Sequence, residues 1–298
     1  MIGVGLTLQP EDAYLDLLAG VIREEPDYYE VAPETLWRAP DPETGGELRP
    51  NGFHARFAAL RARTQRPFVA HGVGFSVGSV APERARRARW LARIEDDARV
   101  FGFEWYTDHL GATVLDGREL LLPLPLAMTA AMAGVVRASL VELQTVVPLA
   151  GVENSVFYFH LGDPLDEPAF LGRILDGPGL VLLLDLHNVH TSAVNAGFEA
   201  WEYVRRLPLE KVIEIHLAGG TQSDPAWLHS GKVLRLDSHD HAVPQEVWGL
   251  FERVLPLCPG LRGVTLERME GTVGEADVEP IRAELRRARR ILELARAR

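Results

Sequence analysis

The stretch Val-Leu-Leu-Leu-Asp-Leu-His-Asn-Val-His at residues 181–190 decides how this chain is interpreted. Its apolar half predicts a strand that is covered on both faces, as in a parallel sheet. Asp185, His187, Asn188 and His190 follow where that strand should end. Because α/β folds place their chemistry at the carboxyl ends of parallel strands, the stretch predicts one part of a functional site.

The same alternation of apolar runs and helical patterns recurs along the chain. Strands are predicted at residues 2–7, 28–31, 67–70, 103–107, 148–152, 180–184, 212–215 and 263–266. Helices are predicted at residues 11–24, 53–63, 82–101, 127–146, 164–175, 198–206, 244–254 and 278–297. This order in 298 residues predicts a (β/α)₈ TIM barrel as a single domain over residues 1–298. A doubly wound nucleotide-binding sheet is disfavoured, because no Gly-x-Gly-x-x-Gly or Walker sequence follows any strand.

Composition narrows the class of protein. A hydrophobic content of 47% is enough for a sizeable core, and a net charge of −11 disfavours binding to nucleic acid. The single cysteine, Cys258, excludes a disulfide framework and a cysteine-based metal site, and it fits a reducing cytoplasm. We expect no signal peptide and no membrane span, since the longest uncharged stretch, residues 120–136, is short and broken by prolines.

Six of the eight predicted strands end at a His, Asp or Glu, and the loops after barrel strands converge on one face. The resulting candidate ligands are His71, His109, Glu153, Asp185, Asn188, His216 and Glu267, with Asp237 and His239 in the seventh loop. Nitrogen and oxygen donors without a thiolate suit iron, manganese or zinc. Nine donors exceed the need of one ion, so the set predicts two or three ions. His187 and His190 are expected to support the ligands or to face the substrate.

Each candidate also has an ordinary structural interpretation. Glu153-Asn154 could cap a helix, and Asp237-Ser238-His239 could be a polar turn. The repetition of such residues at the same relative position favours a metal site over these separate explanations.

The segment Gly-Phe-Ser-Val-Gly at residues 74–78 matches the elbow of serine hydrolases. An elbow serine lies directly between a strand and a helix, whereas Ser76 is predicted inside a loop, which disfavours a hydrolase.

Several longer segments carry a resemblance to a known family. They are His71-Gly72-Val73-Gly74-Phe75-Ser76-Val77-Gly78-Ser79, Asp108-His109-Leu110, Glu153-Asn154, Leu184-Asp185-Leu186-His187-Asn188-Val189, Glu214-Ile215-His216-Leu217-Ala218-Gly219 and Asp237-Ser238-His239. In this order the segments resemble the multinuclear non-haem iron-dependent oxidases, the family of the methanobactin-biosynthesis oxidase. Members often have Asn and Tyr where this chain has His187 and His190, and a His where Gly220 stands.

The resemblance implies a TIM barrel with two or three irons that uses O₂ to oxidise a residue, often a cysteine, of a ribosomally made peptide. It implies natural-product biosynthesis, frequently with a partner protein that grips the peptide. Carried over by motif, the nine candidates above become the metal ligands, and Glu30 and Glu34 lie near the substrate pocket. The alternative is an endonuclease IV-type phosphodiesterase or a sugar-isomerase-like barrel, which assembles similar ligands around zinc or manganese.

Overall fold

A computed structural model describes residues 3–38, 47–80, 84–115 and 117–296. Eight parallel strands close a barrel in which neighbours in space follow the order of the chain. They are β1 (Gly3–Thr7), β2 (Tyr28–Val31), β3 (Phe68–Gly72), β4 (Tyr106–His109), β5 (Ala150–Glu153), β6 (Leu180–Asp185), β7 (Val212–Leu217) and β8 (Gly263–Leu266). The predicted TIM barrel is confirmed. Predicted strand residue 2 and predicted helix residues 82, 83 and 297 lie outside the described ranges.

Helices surround the barrel. They are α1 (Asp12–Leu17), α2 (Ala19–Glu24), α3 (Gly52–Thr64), α4 (Arg84–Phe101), α5 (Ala130–Leu143), α6 (Glu167–Ile174), α7 (Leu186–Ala196), α8 (Ala200–Val204), α9 (Gln245–Val254) and α10 (Val278–Arg296). Outward-facing strand residues such as Leu182 and Leu184 are fully buried, in the same core cluster as apolar helix residues such as Val247 and Phe251 on α9. The main hydrophobic core therefore lies between the sheet and the helices, which leaves the barrel interior available for polar side chains.

The largest departure from the sequence prediction is α7, which begins directly after β6. No helix was predicted between the strand at 180–184 and the helix at 198–206. Asp185 nevertheless caps a helix there, its Oδ1 accepting from the Asn188 N–H at 2.7 Å. Gly197, with a φ of 77°, ends that helix in the left-handed region. The predicted helix at 198–206 is only the short α8, and the predicted helix at 11–24 is divided at Leu18, whose ψ is 10°.

Several strands extend further toward their carboxyl ends than predicted. Parallel pairing aligns His71 with Thr107 and His109 with Glu153, so these residues belong to the sheet and not to the loops after it. The last inward-facing residues of the strands are therefore fixed by the hydrogen-bond ladder. That placement gives the candidate ligands a rigid support.

Two antiparallel strand pairs outside the barrel were not predicted. Trp37–Arg38 pairs with Arg49–Pro50, and Ala112–Leu115 pairs with Arg118–Leu124. The second pair, which we call the β4 hairpin, follows the carboxyl end of β4 and so belongs to the face where the candidate ligands lie. Within the described part of the chain, no helix is long and apolar enough to cross a membrane.

Candidate metal centre

Two overlapping groups of side chains lie at the carboxyl ends of the strands. The first group is His71, Glu153 and His216, and the second is Asp185, His216 and Glu267. Within each group, one ligand atom from every residue lies within 4.8 Å of the others. Glu153 Oε2 is 3.6 Å from His71 Nε2, and Glu153 Oε1 is 4.0 Å from His216 Nδ1. His109 approaches the first group, with its Nε2 3.3 Å from Glu153 Oε2. The two groups share His216 and are therefore adjacent.

A third group consists of His187, Asp237 and His239. Asp237 Oδ1 lies 3.0 Å from His187 Nδ1 and 2.8 Å from His239 Nε2. Glu267 connects this group to the second one, since its Oε1 is 3.5 Å from His239 Nδ1 and its Oε2 is 3.1 Å from His216 Nδ1. We call the three groups together with His109 the upper cluster: His71, His109, Glu153, Asp185, His187, His216, Asp237, His239 and Glu267.

Several buried acceptor oxygens at the upper cluster have no hydrogen-bond partner among the described residues. They are Glu153 Oε2 and Asp185 Oδ2, together with the neighbouring Asn188 Oδ1. A buried polar atom without a partner costs about 1–3 kcal/mol. Metal ions would satisfy these atoms, so the donor set fits a multinuclear metal centre.

The electrostatics of the upper cluster are those of a site that needs added positive charge. Burial raises the pKa of Glu153 to about 7, and burial together with the Glu153 carboxylate raises the pKa of Asp185 to about 8. Burial opposes protonation of His216, but the carboxylates of Glu30 and Glu267 outweigh it and hold the His216 pKa well above its usual range. Cations bound here would replace protons that the metal-free site has to retain.

Three imidazoles of the upper cluster have a hydrogen-bond partner on the nitrogen that faces away from the carboxylates of the cluster itself. His71 Nδ1 lies 3.0 Å from Thr107 Oγ1, and His109 Nδ1 donates to the Gly72 carbonyl at 3.0 Å. His216 Nε2 lies 2.8 Å from the Glu30 carboxylate. Such partners fix which nitrogen remains available to a metal.

Asn154 and Asn188 connect the strands that carry the acidic ligands. The Asn154 amide accepts from the Asp185 N–H and donates to the Asp185 carbonyl, both at 2.9 Å. Asn154 thus links β5 to β6, and the helix cap considered for Glu153-Asn154 is not formed by it. The Asn188 amide donates to Glu153 Oε1 at 3.1 Å, so its open Oδ1 is held beside the cluster.

Below the upper cluster the barrel interior contains a second polar set, the lower layer, which consists of Tyr28, Glu30, Trp105, Glu214 and Thr265. Glu214 accepts from Tyr28 Oη at 2.8 Å, from Trp105 Nε1 at 2.6 Å and from Thr265 Oγ1. Glu30 accepts from Thr7 Oγ1 at 2.8 Å. Gly263 leaves room for Tyr28, because a Cβ atom there would lie 2.4 Å from Tyr28 Oη. Glu30, Glu214 and His216 also have metal-compatible spacing, but protein donors already occupy these carboxylates.

The structure brings all nine predicted ligands to one face, eight of them within the upper cluster and Asn188 beside it. His187, which was predicted to support the ligands or to face the substrate, has its ring in the third group. Its neighbour Gly220 has no space for a side chain, since a Cβ there would be 3.0 Å from His187 Cε1 and 2.1 Å from the Leu236 carbonyl oxygen. His190 belongs to none of the three groups, and burial and Arg235 lower its pKa to about 4.

Glu30 and Glu34, expected near a substrate pocket, occupy two different places. Glu30 is completely buried beneath His216. Glu34 Oε1 accepts from the backbone N–H groups of Val73 and Gly74, at 2.6 and 2.9 Å, and so fixes the loop after β3. In that same loop Ser76 accepts from the Thr113 N–H at 2.8 Å, which commits its hydroxyl to holding the β4 hairpin and not to nucleophilic attack.

Comparison with known families agrees with this geometry. Residues 2–293 match the family described as RiPP precursor modification enzyme MbnB/TglH/ChrH. The chain belongs to this family. Its relatives include a UPF0276 protein of Rhizorhabdus wittichii, 32% identical over 259 residues that cover 86% of this chain and 83% of that protein. A UPF0276 protein of Caulobacter vibrioides is 35% identical over 195 residues, or 64% of this chain and 65% of the relative. The resemblance to the methanobactin-type family is confirmed.

Solved structures share the fold of this MbnB/TglH/ChrH member. A D-tagatose 3-epimerase-like protein superposes with a TM-score of 0.61 at 16% identity and covers 98% of both chains. Endonuclease IV from Thermus thermophilus superposes with a TM-score of 0.53 at 18% identity, covering 96% of this chain and 99% of that one. At such identities the likeness establishes the barrel alone.

Proposed function

We propose that this protein is a non-haem iron oxidase that uses O₂ to modify a residue, often a cysteine, of a ribosomally synthesised peptide. The observation that carries the proposal is the set of buried, unpartnered acceptor oxygens of Glu153, Asp185 and Asn188 at the mouth of the barrel. These oxygens receive no hydrogen bond from the described protein, whereas metal ions would take them as ligands.

The three groups of the upper cluster would hold the ions. Two carboxylates divide their oxygens between neighbouring groups. Glu153 faces His71 and His109 with one oxygen and His216 with the other. Glu267 faces His216 and His239 in the same divided way. Carboxylates shared between groups are suited to bridging ions, which supports two or three irons over one.

Iron bound here would supply electrons to O₂ and a positive charge that attracts a substrate thiolate. The chain's own contribution is orientation and shielding. Glu30, Thr107 and the Gly72 carbonyl fix three imidazoles, and the packed lower layer closes the barrel beneath them.

His109 and Asp237 have side chains that are 22% and 19% exposed, so the cluster opens to solvent on their side. A peptide would therefore approach there.

The choice of iron over zinc or manganese rests on the family resemblance, because nitrogen and oxygen donors accept all three metals. The proposal also includes a separate protein that grips the peptide. The epimerase and endonuclease neighbours are less than 25% identical to this chain, so they share its fold without supporting a second activity.

The test is oxidation of a precursor peptide encoded beside the gene. Protein loaded anaerobically with ferrous iron is given the peptide and O₂, and the peptide mass is followed. We expect an O₂-dependent mass change that Glu267→Gln abolishes and the exposed control Glu293→Gln retains. Stoichiometric zinc without iron in the purified protein, together with cleavage of abasic DNA, would contradict the proposal in favour of a nuclease.

A further inference from the structure

Exposed apolar side chains are concentrated on the face that carries the upper cluster. Of the fifteen large apolar residues that are exposed in the described chain, ten lie in connections that follow the carboxyl ends of β3, β4, β5 and β7. The three exposed aromatic residues, Tyr158, Phe159 and Trp227, are all among these ten. A scattered surface would not place them on one side, and concentrated apolar exposure marks a binding surface.

Six of these residues define what we call the apolar rim: Leu122, Tyr158, Phe159, Leu161, Trp227 and Leu228. Their exposure ranges from 38% to 67%, and Trp227 is the most exposed. Asp224 Oδ1 accepts from the Ala226 N–H at 2.7 Å and so fixes the 3₁₀ turn that presents Trp227. An ordered turn with a Trp directed to solvent is suited to contacting a ligand.

Contacts join the loops that carry the apolar rim and extend to the candidate metal centre. Leu126 and Met128, after the β4 hairpin, line one narrow pocket together with Phe157 and Leu161 from the loop after β5. That loop is joined to the loop after β7, since Tyr158 Oη accepts from the backbone N–H of Asp237 at 3.2 Å. Asp237 belongs to the upper cluster, so the apolar surface directly borders the groups that would act on a substrate.

We infer that the apolar rim binds the residues that flank the modified residue of the peptide, and that these flanking residues are apolar. This inference rests on the proposed function for the nature of the ligand. A peptide residue that reaches the upper cluster must place its neighbours along the rim, where none of the six side chains carries a charge. Apolar neighbours would cover the exposed rings and release their water, whereas charged neighbours would be desolvated without a partner.

The test compares two neutral probe peptides, acetyl-Val-Leu-Cys-Leu-Val-amide and acetyl-Ser-Gln-Cys-Gln-Ser-amide. Binding to the iron-loaded protein is measured by calorimetry without O₂, so that no turnover occurs. We expect the apolar peptide to bind at least about tenfold more tightly. The double variant Phe159→Ser with Trp227→Ser should lose most of this preference. The matched control, Val194→Ser with Leu294→Ser, removes equally exposed residues from α7 and α10 and should keep it.

Equal affinity for the two peptides, or an equal loss of preference in the control variant, would overturn the inference. Light scattering gives another decisive outcome, because a dimer that the rim variant dissociates would make the rim an interface between copies. Failure of the proposed function has a different signature, namely selective binding of the apolar peptide without O₂-dependent oxidation. Oxidation of both peptides with equal KM would instead leave the oxidase in place and refute the apolar preference.

Discussion

The upper cluster and the lower layer both contain buried carboxylates, but their hydrogen bonding differs. In the lower layer Glu214 receives three side-chain donors, and Glu30 receives Thr7 and His216. In the upper cluster Glu153 and Asp185 each keep one buried oxygen without a donor. Both regions have spacing that would suit a metal ion. Spacing alone therefore does not distinguish a ligand from a structural carboxylate. Metal-compatible spacing combined with an oxygen that receives no hydrogen bond occurs at Glu153 and Asp185 and not in the lower layer.

This difference assigns separate tasks to the two regions. The lower layer is a completed hydrogen-bond network that supports His216 from below through Glu30. The upper cluster lacks the positive charge that would complete it. Changes in the upper cluster should therefore affect metal content first, and changes in the lower layer should affect folding stability first.

The largest expected effect is that of Glu153→Gln. Glu153 lies against His71, His109 and His216, and an amide would present N–H donors where cations should bind. We expect loss of bound metal and a fall in activity of at least about a hundredfold, beyond the tenfold to hundredfold typical of supporting residues. Elemental analysis measures the metal and circular dichroism checks the fold. Full metal occupancy in a folded variant would remove Glu153 from the ligand set.

The pH dependence of metal binding should be nearly as large. In the metal-free protein Glu153 and Asp185 have pKa values raised by burial to about 7 and about 8, so each retains a proton below those values. Metal must displace these protons, and the affinity should fall as the pH decreases, by up to about a hundredfold per unit below pH 7. Chelator competition with Mn²⁺ at about pH 6, 7 and 8 measures this slope. An affinity that does not change over this range would contradict the placement of metal beside these two carboxylates.

A smaller effect is expected for Glu30→Gln, which tests the connection between the two regions. The variant keeps an acceptor for His216 Nε2 but removes the negative charge that holds this ring. We expect metal affinity to weaken by about tenfold, with the number of bound ions unchanged at saturating metal. Wild-type affinity would show that His216 does not depend on Glu30 for its orientation.

The smallest effect on metal should come from Glu214→Gln. The new side-chain amide would place N–H groups against the donor groups of Tyr28, Trp105 and Thr265. At least one of these buried donors would then lack an acceptor. We expect the free energy of unfolding to fall by about 1–3 kcal/mol while metal stoichiometry is retained. Denaturant unfolding of the metal-loaded protein measures the change. Loss of metal at unchanged stability would reverse the roles assigned to the two regions.

The sequence predicts the barrel and the ligand-bearing strands because both depend on local patterns. An apolar run followed by a His or a carboxylate, as at Leu184-Asp185 and Ile215-His216, can be recognised without tertiary information. The position of His187 in the third group was not predicted, because it depends on α7 starting at Leu186. The absence of Gly and Pro from residues 186–196 was the available signal for that helix.

The lower layer was missed for a different reason. Glu214 and His216 lie two residues apart in β7, whose other residues are apolar. Because side chains alternate along a strand, both of them point into the barrel. That two-residue spacing could have identified Glu214 as an interior residue. Whether its carboxylate is occupied or free depends on Tyr28 and Trp105, which are distant in the sequence, and no local pattern contains that information.

Anomalous scattering at the iron absorption edge tests the central comparison most directly. Crystals of the protein, produced with iron and without other added metals, should give two or three iron peaks among the residues of the upper cluster and none between Glu30 and Glu214. A peak in the lower layer, or an upper cluster that contains zinc alone, would contradict the account.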